Sequence, residues 1–220
     1  MIKALFFDFY GTIVHEDGVV IDEITTIISN TGDGAKKSTI GSYWWQIFQE
    51  SYVNSFDDSF KTQRELEIKS LEMTLKKFGS DANADELSKK MFEHWRKPPI
   101  FEDAANFLAL CDIPYYIVSN IDTDDIMAAI HYHSLTPVKV FTSEDAKSYK
   151  PRPELFEMAL EETDLSPQEI VHIGDSLSSD VKGASSLGIN TIWMNRNNKE
   201  VPDGVVAVAS CADILNTPFF

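Results

Sequence analysis

Long apolar runs are the first thing this sequence lacks. No uninterrupted hydrophobic stretch approaches the ~18 residues that a membrane-spanning helix needs. The first residues also show neither a basic start nor a small-residue cleavage site of the export type. A membrane span and secretion are therefore not expected, and a cytoplasmic location is. Basic residues are scarce, with 19 Lys and Arg against 35 Asp and Glu, giving a formal charge of −16. Phosphodiester backbones and anionic membrane surfaces are held mainly by Lys and Arg, so neither nucleic acid nor membrane is an expected partner. Cysteine is nearly absent. Cys111 and Cys211 lie far apart, without metal-type spacing or a neighbouring His, and read as buried thiols of a reducing compartment. There is no internal repeat, no low-complexity tract, and nothing that fixes an oligomeric state.

What remains is enough for a sizeable core: 220 residues, 43% of them hydrophobic, suffice for one main domain and a smaller lobe. Two textures divide the chain. From about Asp22 to Arg96 apolar residues recur at three- and four-residue spacing, as in "YWWQIFQESYV" and "ADELSKKMFEHW", which predicts an all-helical lobe. Trp44, Trp45 and Tyr43 are expected to pack inside that lobe rather than form a ligand platform. After "RKPPIFEDA" short β-branched or aromatic runs ("IPYYIVSN", "VKVFTS", "EIVHIGD", "INTIWMN") alternate with helical segments. Such alternation predicts a parallel sheet buried on both faces. The first run, "KALFFDF", needs partners and belongs to that sheet, so the fold expected is α/β: residues 1–16 and 98–220 as the core, with 17–97 as an inserted helical domain.

Polar residues close three of these runs: Asp8, Ser119-Asn120 and Gly174-Asp175-Ser176. Ligands bind outside the carboxyl ends of parallel strands, so the three clusters can meet in one crevice. Lys150 precedes Pro151, read as a first helical residue, which places the ammonium near a helix mouth. Asp180, five residues after Asp175, can bend back to the same place. Each element has a bland alternative. An Asp before Gly-Thr commonly forms a turn, and Gly-Asp-Ser commonly caps a helix.

Taken in order, "DFYGT" (8–12), "VSN" (118–120), "KPRP" (150–153) and "GDSLSSD" (174–180) resemble the four motifs of the haloacid dehalogenase-like (HAD) hydrolase superfamily. The resemblance implies a Rossmann-like core with a helical cap between motifs one and two. It implies a covalent nucleophile at Asp8, charge stabilisation by Lys150, and contacts to a small-molecule substrate from Thr12, Ser119, Asn120 and Tyr10. It further implies Mg2+ held by Asp8, the Tyr10 carbonyl and Asp175, with Asp180 bracing Lys150 or a metal-bound water. A hard divalent cation and an ammonium suit attack of a carboxylate on a phosphate dianion.

Tyr10 departs from the phosphatase pattern, where a second Asp serves as acid and base, and resembles the family's 2-haloacid dehalogenases. Yet residues 17–60 contain no Arg to grip a halide or carboxylate, the first being Arg64. Asp175 also stands where those enzymes carry no metal carboxylate. The reading preferred is a Mg2+-dependent phosphohydrolase acting through an aspartyl-phosphate. The alternatives are a 2-haloacid dehalogenase and a weakly active protein that binds a phosphorylated ligand.

Overall fold

A computed structural model describes all residues, 1–220. In chain order the elements are β1 (Ala4–Phe7), α1 (Gly18–Thr31), α2 (Lys37–Val53), α3 (Gln63–Lys77), α4 (Ala84–Arg96), α5 (Glu102–Leu110), β2 (Tyr115–Ser119) and α6 (Thr123–Tyr132). There follow β3 (Val140–Thr142), α7 (Ser143–Ala146), α8 (Glu154–Thr163), β4 (Ile170–Gly174), a π-helical turn (Leu177–Lys182) running into α9 (Gly183–Ser185), β5 (Asn190–Met194) and β6 (Ala207–Val208). A 3-10 helix, Cys211–Asn216, lies near the end of the chain.

Two compact units emerge, and each is described by itself. The first comprises Met1–Glu16, Pro99–Asn120 and His133–Phe220. Its parallel sheet has the order β3-β2-β1-β4-β5-β6. β1 is central, and all four of its residues are inaccessible to solvent, which is why it reads as an unbroken apolar run. On one face Phe6, Val118, Phe141, Leu155, Phe156 and Ala184 form a continuous buried cluster. In register, Phe7 pairs with Ile117 and with Ile173, so β1, β2 and β4 end side by side. The polar residues that follow them therefore emerge at one edge.

The second unit comprises Asp17–Pro98 and Ile121–Tyr132. α3 starts from a capping box in which Thr62 and Glu65 satisfy each other's backbone N–H groups. Leu87, Met91 and Trp95 make the buried stripe of α4 at four-residue spacing. Trp44 is buried, its indole N–H donating to Ser70 at 3.0 Å. Trp45 is not part of that core. It is exposed and stacks on Phe48 at 6.0 Å.

α6 departs from the expected core span 98–220, because it groups with the helices. The Asp122 carboxylate accepts from the first backbone N–H groups of α3, Gln63 at 2.7 Å and Arg64 at 3.0 Å. Asp125, fully buried, accepts from Arg64 Nε at 2.7 Å and from Arg96 Nη1 at 3.3 Å. The Arg64 guanidinium also lies 4.4 Å over the Phe92 ring. A buried carboxylate needs such partners, and only the helical unit supplies them here.

Candidate active site

The site begins with the turn after β1. Asp8 leaves the strand with its N–H on the Ile173 carbonyl, and the Phe9 carbonyl then accepts from the N–H groups of Thr12, Ile13 and Val14. Gly11 has φ +83°, and a Cβ there would sit 2.6 Å from Asp175 Cγ, so the turn admits only glycine. Tyr10 packs edge-on against Phe9. The Thr12 hydroxyl is buried with no hydrogen-bond partner within the chain.

Lys150 is the hub. Its Nζ donates to Asp8 Oδ1 at 2.8 Å, to Asp180 Oδ1 at 2.6 Å and to the Val118 carbonyl at 2.8 Å, so all three ammonium protons are used. Ser119 Oγ donates to the same Asp8 oxygen at 3.2 Å. Asp180 is held from behind: Oδ2 accepts from Ser176 N–H at 3.0 Å, and Oδ1 faces His172 Nε2 at 3.0 Å. A carboxylate only accepts, so His172 carries its proton on Nε2. Gly174 makes room for this, since a Cβ there would collide with the Asp180 side chain at 2.2 Å. Trp193 Nε1 fixes the Asp175 backbone through its carbonyl at 2.7 Å.

Electrostatics separate the three acids. Burial works to raise Asp180, but Lys150 and His172 prevail and hold it well below the usual carboxylate range. Burial pushes Asp8 up to about 6 against the pull of Lys150. Asp175 is pushed up to about 8 by burial and by the neighbouring Asp8, Asp180 and Glu16 charges. Burial depresses Lys150, yet Asp180 and Asp8 outweigh it and raise the ammonium to about 12. One cation thus faces three carboxylates whose oxygens lie within 4.8 Å of one another. The acidic cluster is short of positive charge at Asp175. Oxygen-only donors of this kind fit a hard divalent ion such as Mg2+.

Of the residues expected at the site, Asp8, Ser119, Lys150, Asp175 and Asp180 converge here, and Thr12 lies in the turn that follows Asp8. The structure adds detail at three positions. Asn120 gives its side-chain amide to the Lys150 backbone, donating to the carbonyl at 3.0 Å and accepting from the N–H at 2.7 Å. These two bonds hold the Lys150 backbone in place. Asp180 accepts from Lys150 and Ser176 and faces His172, the geometry of a brace, while its carboxylate stays within the acidic cluster formed with Asp8 and Asp175. Pro151 does not start a helix: its peptide bond with Lys150 is cis, and α8 begins only at Glu154. His172 was not expected at all. Its position one residue before Ile173-Gly174 on a buried strand reads as core, and only the fold places it against Asp180.

Known proteins resemble this chain in sequence and in fold. The profile of the haloacid dehalogenase-like hydrolases, described as "Hydrolase", matches residues 2–188. The chain is 25% identical to (S)-2-haloacid dehalogenase 1 of Pseudomonas sp. (strain CBS-3) over 205 residues, covering 90% of this chain and 86% of that protein. It is 29% identical to the phosphoserine phosphatase of Thermus thermophilus over 127 residues, 54% of this chain and 49% of that one. Among solved structures, the magnesium-bound HAD-hydrolase YfnB of Bacillus subtilis superposes with a TM-score of 0.78 at 21% identity, over 98% of this chain and 97% of its own. With its parallel α/β core, its four motifs gathered at one sheet edge and a profile match across most of its length, this chain belongs to the haloacid dehalogenase-like hydrolases.

Proposed function

We propose that this chain is a Mg2+-dependent phosphohydrolase acting on a small phosphorylated metabolite, with Asp8 as nucleophile. The observation that carries the reading is the charge deficit of the acidic cluster: Asp8, Asp175 and Asp180 around a single Lys150, with Asp175 raised to about 8. Asp8 and Asp175 would hold the ion, with the Tyr10 carbonyl as a further oxygen. When bound, the ion supplies charge neutralisation for a phosphate approaching a carboxylate.

The chain's own groups do the rest. An Asp8 oxygen attacks phosphorus and the bond to the leaving oxygen breaks, giving an aspartyl-phosphate. Water then attacks that phosphorus, releasing inorganic phosphate and restoring the carboxylate. Lys150 and Ser119, already on Asp8 Oδ1, orient the nucleophile, and the unpartnered Thr12 hydroxyl is a ready donor to a phosphoryl oxygen. The magnesium-bound state of the YfnB structure supports the choice of ion.

A second reading has its own observation. Tyr10 replaces the expected acid, and the relative with the widest of the two sequence overlaps above is a 2-haloacid dehalogenase. Against it, Arg64, the first arginine of the helical unit, is committed to Asp125 and Phe92. Purified protein assayed on aryl, acyl and sugar phosphates and on 2-chloropropionate, each with and without Mg2+, distinguishes the two. Phosphate release that needs Mg2+ is expected. Halide release that proceeds without it would establish the dehalogenase.

A further inference from the structure

Behind the nucleophile turn lies a second polar centre that the four motifs do not include. Arg196 follows β5 in a tight turn, where the Asn195 side chain both accepts from the Lys199 N–H and donates to its carbonyl. From there the guanidinium reaches three separate segments: the start of α5, the nucleophile turn and, through Nη2 at 3.6 Å, Cys211 Sγ. Nη1 donates to both oxygens of Asp103, each at 3.0 Å, in the first turn of α5. Nη2 donates to the Thr12 backbone carbonyl at 2.8 Å. The guanidinium face lies 3.8 Å from the centre of the Phe101 ring, on which the His15 ring also stacks at 3.8 Å.

Asp103 is locked in turn. It accepts from Ser210 Oγ at 2.8 Å and from the Cys211 N–H at 2.7 Å. Burial works to raise its pKa, and these donors together with Arg196 hold it below the usual carboxylate range. The segments entering and leaving the first unit are joined at this point, with His15 N–H on the Pro99 carbonyl and Phe101 N–H on the Ile13 carbonyl.

We infer that Arg196 is a positioning residue for the reaction at Asp8: anchored on Asp103, it fixes the Thr12 carbonyl and with it the turn that presents the Thr12 hydroxyl. The inference rests on the functional reading above only in taking Asp8 and Thr12 as the reacting site. The physical case is geometric. The carbonyl that Arg196 holds and the orphaned hydroxyl belong to one residue, so a displacement of Thr12 as a unit carries the hydroxyl and the Thr12–Ile13 peptide with it. Misplacement of a reacting group by about 1 Å can cost on the order of a hundredfold in rate. A planar fork can hold a carboxylate with one nitrogen and a carbonyl with the other, whereas a lysine ammonium cannot reproduce that geometry.

The test uses the full chain with Arg196→Lys and Arg196→Gln, each alone and combined with Thr12→Val, which deletes the hydroxyl while keeping a β-branched shape. With p-nitrophenyl phosphate plus Mg2+, and in parallel with 2-chloropropionate, the single Arg196 variants should lose about tenfold or more in kcat while KM changes far less. In the Thr12→Val background the same Arg196 substitutions should have little further effect on kcat, because the group they misplace is gone. An equal fold-loss in both backgrounds would reduce Arg196 to a structural support and overturn the inference, as would parental kcat in Arg196→Lys.

Hydrogen exchange at the Ile13 and Val14 amides keeps the two readings separable and needs no turnover. Faster exchange in Arg196→Lys, with the β1 amides unchanged, is expected. Parental protection overturns the positioning role whatever the activity. Faster exchange in a protein whose parent turns over neither substrate upholds the clamp and overturns the functional reading alone.

Discussion

The two compact units bury acids in opposite ways. In the sheet-containing unit Asp8, Asp175 and Asp180 crowd round Lys150, and the least compensated of them, Asp175, retains partial access to solvent. In the helical unit the excess negative charge is sealed in. Asp125 is matched by two arginines, but Glu67, only 3% exposed on α3, has one oxygen without a partner and is pushed up to about 8 by burial and by Asp17. An accessible charge deficit can be relieved by a metal ion or a substrate. An inaccessible one is relieved by a proton. The same physics of desolvation thus makes a candidate site in one unit and a neutral core residue in the other.

The sharpest way to break this contrast is at its functional end. Asp8→Asn keeps the shape of the side chain but removes the nucleophile, so turnover should fall by at least about a thousandfold, roughly 4 kcal/mol of barrier. Steady-state kinetics and a thermal melt check it together. Near-parental turnover in a folded variant would remove the covalent mechanism.

Glu67→Gln probes the sealed acid. Its folded pKa, about 8, lies above the unfolded value of 4.5, so the folded state binds the extra proton. The stability this contributes is complete below about pH 4.5 and is lost as pH rises through about 8. The glutamine variant lacks that loss. Denaturant melts should show parent and variant similar near the acid end of this window and the variant more stable by ~4 kcal/mol at its alkaline end. Parallel curves across the range would mean that Glu67 is ionised and partnered.

How far all this could be read beforehand depends on the distance over which each contact acts. β1, β2, β4 and β5 carry local signatures, apolar runs closed by polar residues, and the site residues at their ends are legible because parallel strands end together. The allegiance of α6 is not legible. It depends on Asp122 and Asp125 meeting Arg64 at separations of 58 to 61 residues, and nothing near either acid announces the partner. His172 and Arg196 were missed for the same reason. One looks like a residue of a buried strand and the other like part of a polar turn, and each acquires its role from a carboxylate brought to it by the fold. Trp44 and Trp45 show the limit of helical spacing, since adjacent residues on one helix cannot both face its core.

Arg64→Met tests the compensated acid of the helical unit. Removing one partner of a buried ion pair commonly costs about 3–5 kcal/mol, but Arg96 remains on Asp125 here, and the methionine retains contact with Phe92. A loss of about 2 kcal/mol is expected by denaturant unfolding, with any turnover responding to added Mg2+ as in the parent. No loss of stability would mean that α6 is held to the helices by apolar packing alone.

The smallest effect expected comes from adding an acid where the sheet-containing unit already has three. In the proposed phosphohydrolase, Tyr10 stands where an acid would protonate the leaving oxygen and later activate water. A phenol is a much weaker general base than a carboxylate near neutral pH. A carboxylate placed there can contribute on the order of a hundredfold in rate when well aligned. It also adds negative charge beside Asp8 and Asp175, which are already raised by burial and mutual repulsion. That opposes part of the gain and steepens the dependence on a cation. Tyr10→Asp should therefore accelerate alkyl-phosphate hydrolysis by only about tenfold, near 1.4 kcal/mol, and leave aryl and acyl phosphates almost unchanged because their leaving groups need no proton. The Mg2+ concentration for half-maximal activity should move as well, since the cluster would hold four carboxylates against one lysine. Single-turnover assays on an alkyl and an aryl phosphate across a Mg2+ series read both effects. An unchanged alkyl-phosphate rate, with halide release by the parent in the absence of Mg2+, would assign Tyr10 to carbon–halogen chemistry instead.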